Sequence, residues 1–412
     1  MRRAADVREV APDLVPVTGD VAAAADGQRS RPRRGRRAAR IAGWAGGALV
    51  LLVALGLALT PTGRYLVRAA WEEGKILRAR RPIAELVADP ATDARTRGKL
   101  RLVLEARAFA ADSVGLRAEE SFTTFSRLEQ DTLVLVLSAA YRDRLARYTW
   151  WFPVVGRVPY TGFFDYDAAR RAAGDLRRDG FDVYLRPASA FSTLGWFNDP
   201  LLSTTLREDS LDLANTVIHE LTHNSFYAPG QAVFNESFAN FVGARGAAWL
   251  FRSRGDARAA AEVDARWRDE RLLGAFWTRV YEALDSAFAA HPDDPAARLR
   301  AREAIYAGAR GRLVDSVAPA LHGPLVPRWA ERVRLDNAAL LARRIYLTDL
   351  QLFDGVYERE GGDLRRAIVR VVGLARSRPK DPFGALRDWL GGAAAGVPSA
   401  APSFDPSSTP TT

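Results

Sequence analysis

The residues with the clearest potential for chemistry lie in the stretch Asn215–Phe241, where His219, Glu220 and His223 form the pattern H-E-x-x-H. On a helix of 3.6 residues per turn, histidines four positions apart project from one face and can bind a single zinc ion. Glu220 is placed to take a proton from the water that attacks a substrate. The chain holds four histidines, so a chance match has a probability on the order of 0.002. We therefore interpret these residues as part of a zinc site.

A catalytic zinc ion usually has three protein ligands, so the two histidines need one more donor, and Glu236 is the best candidate. Residues 228–231 (A-P-G-Q) cannot continue a helix, because proline lacks a backbone donor and glycine favours turns. Asn235 is a favourable N-cap, which predicts that a second helix begins there and packs antiparallel to the first. This arrangement turns Glu236 towards the imidazoles, with Asp209, Asp212 or a residue far along the chain as alternative donors.

The residues around this site carry a family resemblance. H-E-x-x-H followed twelve residues later by N-E-x-F-A is similar to the gluzincins, which include thermolysin and the large zinc aminopeptidases. Five segments resemble, over roughly residues 63–370, a bacterial zinc aminopeptidase family: FPVVGRVPYTGFF (152–164), FSTLGWFNDPLLST (191–204), VIHELTHNSFY (217–227), FNESFANFVGARG (234–246) and LDNAALLARRIY (335–346). The resemblance implies a zincin-like α+β fold with helical extensions, Zn²⁺ as cofactor, and hydrolysis of peptide substrates.

The same resemblance assigns roles to further residues. It implies that the strand over 192–196 lies at the edge of the cleft and pairs with the substrate backbone. It also implies a tyrosine or histidine that stabilises the oxyanion, for which Tyr346 is the first choice and Tyr160 the second. An aminopeptidase needs a carboxylate for the free α-amine of its substrate, and Asp165 and Asp199 are among several candidates. Exo- and endo-cleavage therefore stay open at this point.

Composition excludes several other classes of site. The 412 residues include no cysteine, so disulfides, a thiol nucleophile and cysteine-bound zinc are excluded. Half of the net charge of +10 lies in residues 1–40, which hold ten arginines and five acidic residues. Only +5 is left for the remainder of the chain, which argues against a nucleic-acid-binding face.

An apolar segment predicts the location of the protein. Residues 41–60 contain no charge, and twenty helical residues span a hydrocarbon core of roughly 30 Å. The arginines between Arg31 and Arg40 favour a cytoplasmic N-terminus. We expect a single-pass anchor in the inner membrane with a periplasmic catalytic domain, and a cleaved signal peptide is the rival interpretation.

Periodicity divides the rest of the chain. Residues 63–130 show helical spacing of apolar side chains, whereas 131–207 hold short runs rich in Val, Tyr, Phe and Thr, which are typical of a small sheet. Residues 208–254 contain the two metal helices, and 255–390 return to helical spacing, which predicts among others one helix over 257–290 and one over 335–359. The Ala-, Pro-, Ser- and Thr-rich end, 391–412, is typical of a disordered tail.

Two other functions are compatible with the pattern. One is a membrane-anchored zinc endopeptidase, and the other is a non-catalytic envelope scaffold with a structural metal site. A structural site needs ligands but no base, so the presence of Glu220 favours an enzyme.

Overall fold

The computed structural model describes residues 42–48, 52, 55–56, 58–128, 134–152, 156–188, 200–322 and 326–392. The chain divides into two compact units, Met1–Arg64 and Tyr65–Thr412. In the shorter unit, residues 42–48 are helical. The predicted anchor over 41–60 lies partly outside the described residues. The basic segment 1–40 lies entirely outside them, and so does nearly all of the predicted tail. Within the described part of the chain, no helix is both long and apolar enough to cross a bilayer.

Helices make up most of the described residues. In chain order they are α1 (Pro61–Arg78), α2 (Ile83–Ala88), α3 (Ala94–Phe109), α4 (Tyr166–Arg178), α5 (Ser210–Ser225), α6 (Ala232–Ser253), α7 (Ala257–Ala289), α8 (Pro295–Arg312), α9 (Val326–Arg332), α10 (Asn337–Arg344), α11 (Leu350–Arg359), α12 (Leu364–Ser377) and α13 (Pro382–Gly391). Aspartates begin many of them, because a carboxylate accepts hydrogen bonds from the free N–H groups of the first turn. These N-caps are Asp93, Asp165, Asp209, Asp256, Asp294, Asp336, Asp363 and Asp381.

The strands form small separate sheets. They are β1 (Arg81–Pro82), β2 (Thr124–Ser126), β3 (Val134–Ala140), β4 (Trp150–Phe152), β5 (Gly156–Val158), β6 (Tyr160–Phe163), β7 (Asp182–Ala188) and β8 (Leu201–Leu202). The order β6-β3-β7 is antiparallel, with Leu137 opposite Thr161 and Leu185. One face of this sheet packs on α4, where Ala173 and Leu176 join Leu137 and Val183 in a buried cluster. The sheet expected within 131–207 is therefore present, except that the strand expected over 192–196 lies outside the described residues.

The main apolar core holds α5 and α6 in place. Phe238 and Phe241 on α6 pack with Phe353 of α11, and the rings of Phe241 and Phe353 stack 5.8 Å apart. Trp267 of α7 joins the same cluster and is 2% exposed. Burial of large aromatic rings contributes strongly to stability, so one side of α6 is anchored in the core.

The helix predicted over 335–359 is interrupted. The structure divides it into α10 and α11, joined by residues 345–349. Asp349 there has φ 51°, a left-handed conformation that ends helical geometry and that aspartate tolerates better than most residues. The hydroxyl of Ser237 also accepts a 3.3 Å hydrogen bond from the N–H of Thr348. At Thr348 a contact with α6 thus replaces the intrahelical bond, which the periodicity of the sequence does not reveal.

Candidate metal centre

Helix α5 carries the H-E-x-x-H residues in the conformation that their spacing predicts. It begins after Asp209, whose carboxylate accepts two backbone N–H groups, and it ends at Ser225. Its apolar side is completely buried, through Leu213, Val217, Ile218 and Leu221. The side chains of His219 and His223 are only 12% and 22% exposed. The packing of the helix therefore leaves both imidazoles at the edge of the core.

The turn before α6 differs from the expectation. Helix α6 begins at Ala232, so the prediction that it begins at Asn235 as N-cap was wrong. Gly230 with φ 75° reverses the chain early, and Asn235 is buried inside the first turns of the helix. Its side-chain amide accepts from the N–H of Ala228 and donates to the carbonyl of Ala228, both at 2.9 Å. Asn235 thereby locks the turn beside Glu236 instead of capping the helix.

Two glycines allow α5 and α6 to approach closely. A Cβ atom at Gly243 would collide with the side chain of Asn215 and lie 3.2 Å from the Cβ of His219. A Cβ atom at Gly246 would lie 2.9 Å from Cγ2 of Ile218. Because real Cβ atoms rarely come this close, the spacing of α5 and α6 depends on glycine at both positions. That spacing brings the carboxylate of Glu236 up to the imidazoles.

Three donor atoms converge between these helices. The Nε2 atoms of His219 and His223 are 3.3 Å apart, and Oε2 of Glu236 lies 3.3 Å from the first and 3.7 Å from the second. Ligands bound to zinc at tetrahedral angles and normal bond lengths are about 3.3–3.6 Å from one another. Within the described residues, these three form the one group of potential ligands that meets in this way. The residues present fit a zinc ion.

Interactions within the donor set keep the carboxyl group of Glu236 ionised, which favours the binding of a cation. Burial alone would raise the pKa of Glu236, but hydrogen bonds with His219 and His223 outweigh it and lower the pKa to about 2. Burial would lower the pKa of His223, and it is overcome by the hydrogen bond to Glu236 and by the charges of Glu236 and Glu220. The pKa of His223 is therefore raised. Glu236 is a carboxylate throughout the neutral pH range, as a metal ligand must be.

The charge of Glu220 acts on groups of the same site. Glu220 follows His219 directly on α5, and its charge contributes to raising the pKa values of both His223 and Tyr346. Its side chain is exposed, unlike those of the three donors. An accessible carboxylate beside the donor set can exchange a proton with a molecule bound there.

The pKa values of both tyrosines proposed for oxyanion stabilisation are raised in part by the charge of Glu236. Burial, followed by the charge of Glu236, raises the pKa of Tyr346 to about 12. The amide of Asn240 on α6 donates a 3.0 Å hydrogen bond to the carbonyl of Tyr346, which fixes its backbone against the metal helix. Tyr160 is 49% exposed, yet protein atoms surround its hydroxyl sufficiently that desolvation, with Glu236 second, raises its pKa. Both phenols are thus protonated donors at neutral pH.

The other candidates have different partners. Asp209 and Asp212, the alternative third ligands, both accept hydrogen bonds from Arg266 at 2.8 and 2.7 Å. Asp165 caps α4 through the N–H groups of its first turn. Asp199 lies outside the described residues. The structure brings Glu236, and not these aspartates, to the histidines.

Sequence reasoning missed the residues that support the site. Ser237 and Asn240 both bond to the segment that contains Tyr346. The two residues lie within the quoted motif FNESFANF, but nothing in their types indicates a partner more than 100 positions away. Glu208 was also missed. Burial raises its pKa, and the charge of Glu220 adds to this shift. The hydroxyl of Thr216 donates a 2.8 Å hydrogen bond to its carboxylate.

Comparisons with known proteins give one family. Neither the curated proteins nor the solved structures contain a match to the chain. The model of a family described as "Putative aminopeptidase" matches residues 64–384, more than three quarters of the chain and all five segments quoted above. The chain belongs to this aminopeptidase family.

Proposed function

We propose that the protein is a zinc-dependent aminopeptidase with a zincin-like catalytic domain. One observation carries the proposal: three donors stand at the separations of a tetrahedral zinc site, with Glu220 next to the first of them in the chain. Membership of the aminopeptidase family supports peptide bonds as the target. A structural metal site would not need the accessible carboxylate of Glu220, which favours an enzyme over a scaffold.

The donors, Glu220 and the tyrosines have different roles in hydrolysis. His219, His223 and Glu236 hold the metal. A zinc ion bound there would polarise the scissile carbonyl and lower the pKa of the attacking water. Glu220 takes the proton from that water and later passes it to the leaving amine. Tyr346, or Tyr160 in second place, donates a hydrogen bond to the developing oxyanion.

Incubation of purified protein with a mixed peptide library tests the proposal. Mass spectrometry reads the cleavage positions, with and without a chelator. We expect stepwise loss of N-terminal residues that stops when the metal is removed. Cleavage within the peptides would identify an endopeptidase instead, and cleavage that the chelator leaves unchanged would contradict the zinc assignment.

The proposed location is the outer face of the inner membrane. It is supported by the uncharged run over 41–60 and by the arginines before it. A reporter enzyme that is active only when exported, fused after Gly63, tests the orientation. Activity of a reporter that works only in the cytoplasm would contradict it.

A further inference from the structure

A cavity of about 280 Å³ lies outside the donor set and is lined by two arginines. Arg147 and Arg344 form part of its wall, together with Tyr281, Val233 and Thr348. Both guanidinium groups are half-buried. A cavity that contains two cations and is open to solvent has the chemistry of an anion site.

Neighbouring groups orient both guanidinium groups. Arg147 donates a 3.0 Å hydrogen bond to the carbonyl of Leu341. Arg344 donates to the hydroxyl of Thr278 at 3.2 Å, and its guanidinium carbon lies 4.0 Å from the centre of the Tyr281 ring. An arginine has five N–H donors in a planar fork, so each side chain keeps donors for a ligand. The orientation is therefore set before any ligand binds.

The positive charge of this pair is not neutralised nearby. Among the described residues, no carboxylate lies within ion-pair distance of Arg147 or Arg344, although the charges of Glu282 and Asp349 act on Arg344 from farther away. Asp349 is paired with Arg387 at 2.7 Å. Burial lowers the pKa of both arginines, and each guanidinium stays charged at neutral pH. Two half-buried like charges repel each other, and an anion between them would offset this repulsion.

The cavity adjoins the candidate metal centre. Val233 precedes Glu236 by three residues on α6, which places their Cα atoms about 5 Å apart. Thr348 follows Tyr346 by two residues. Arg147 also lines a smaller cavity together with Tyr160. Tyr160 thus lines one of the two cavities, and Tyr346 lies two residues from a lining residue of the other.

We propose that Arg147 and Arg344 bind the C-terminal carboxylate of short peptide substrates, which makes the enzyme selective for peptides of a few residues. The inference rests on the proposed peptidase function. An extended peptide spans about 3.5 Å per residue, so a short peptide with its scissile bond at the donors can place its C-terminal carboxylate in the adjoining cavity. A carboxylate matches the planar fork of an arginine, and the position of the cavity beside the metal centre favours the substrate over a free anion.

Comparison of the tripeptide Leu-Gly-Gly with its C-terminal amide tests the inference on the full-length enzyme. We expect wild-type kcat/KM to be about 10- to 100-fold higher for the free acid, because a hydrogen bond to a charged group usually increases affinity by about this factor. Arg147→Gln and Arg344→Gln should each lose this preference through a higher KM for the acid, with the amide unaffected. Arg101→Gln, which removes an exposed charge of α3, is the control and should keep the preference.

Several results would overturn the inference. Equal cleavage of acid and amide by the wild type would leave the peptidase intact but contradict the carboxylate site, as would a preference that survives in both folded arginine variants. If no peptide is cleaved, the proposed function fails, and calorimetric binding of Leu-Gly-Gly and its amide decides the site separately. Equal affinities would then reject it. Arginine-dependent binding of inorganic phosphate, with acid and amide bound equally, would assign the cavity to a free anion.

Discussion

The proposed metal centre and the arginine cavity are assembled in opposite ways. The proposed metal donors come from residues 219–236, on two consecutive helices joined by one turn. The arginines of the cavity come from Arg147, in a loop after β3, and Arg344, at the end of α10, about two hundred residues later. With 59 lysines and arginines in the chain, no pair stands out in the sequence, whereas two of only four histidines do. A site built from rare residues at local spacing can be read from sequence, but one built from common residues by tertiary packing cannot.

Loss of a metal ligand should have the largest effect. Wild-type protein should contain about one zinc per chain, and His223→Ala should lose most of it together with all activity. Arg147→Gln should keep its zinc, because the cavity supplies no ligand. Metal analysis of the purified variants checks both. Stoichiometric zinc in a His219→Ala/His223→Ala double variant would rule out this centre.

Removal of the proposed base should separate catalysis from metal binding. Glu220→Gln keeps the shape of the side chain but removes the proton acceptor, so we expect kcat to fall at least about 100-fold. Zinc content should stay at the wild-type level, and KM for Leu-Gly-Gly should change little, in contrast to the arginine variants. Glu236→Gln should lose zinc and activity together. Wild-type turnover by Glu220→Gln would show that the assigned mechanism is wrong.

The two tyrosines proposed as oxyanion donors should differ in the size of their effects. Removal of one oxyanion donor typically costs about 100- to 1000-fold in kcat, and we expect Tyr346→Phe to show a loss near the lower value. Tyr160→Phe, at the more exposed position, should lose less. Steady-state kinetics on Leu-Gly-Gly measure both. The reverse order would make Tyr160 the oxyanion donor, and wild-type rates in both variants would exclude the two residues.

A single methyl group added at Gly243 should disturb the close packing of α5 against α6. Gly243→Ala forces α5 and α6 apart at Asn215, and such overpacking costs about 1–3 kcal/mol of unfolding free energy. Zinc affinity should fall with it. Gly98→Ala, on the exposed side of α3 with no atom near the added methyl, should instead stabilise by about 0.5–1 kcal/mol. Denaturant titrations compare the two, and equal effects would contradict the role assigned to Gly243.

The smallest expected effect is a pH dependence of the metal-free protein. The pKa of Glu236 is lowered from 4.5 to about 2, so its contribution to stability is present above about pH 4.5 and is lost as the pH falls through 2. Glu236→Gln cannot titrate and should lack this contribution. The melting temperatures of the two chelator-treated proteins should therefore converge as the solution is acidified. A difference that stays constant from pH 5 to pH 2 would contradict the ion pairing within the donor set.

Much of the local structure follows from the sequence alone. The spacing of His219 and His223, the helix-breaking residues before α6 and the helical periodicity of 257–290 all depend on interactions within a few residues. The observed helices α5 and α7 match these expectations, α7 to within one residue. Family membership also follows from sequence, because it depends on segments that can be compared residue by residue.

Tertiary structure decided the rest. The turn at Gly230 moved the start of α6 and gave Asn235 a partner at Ala228, and contacts with Ser237 broke the helix predicted over 335–359. Packing also selected Glu236 over Asp209 and Asp212, which Arg266 holds elsewhere. Each outcome depends on groups far apart in the chain, or on competition between two hydrogen-bond partners. Residue type and spacing report neither the distance between such groups nor which partner prevails.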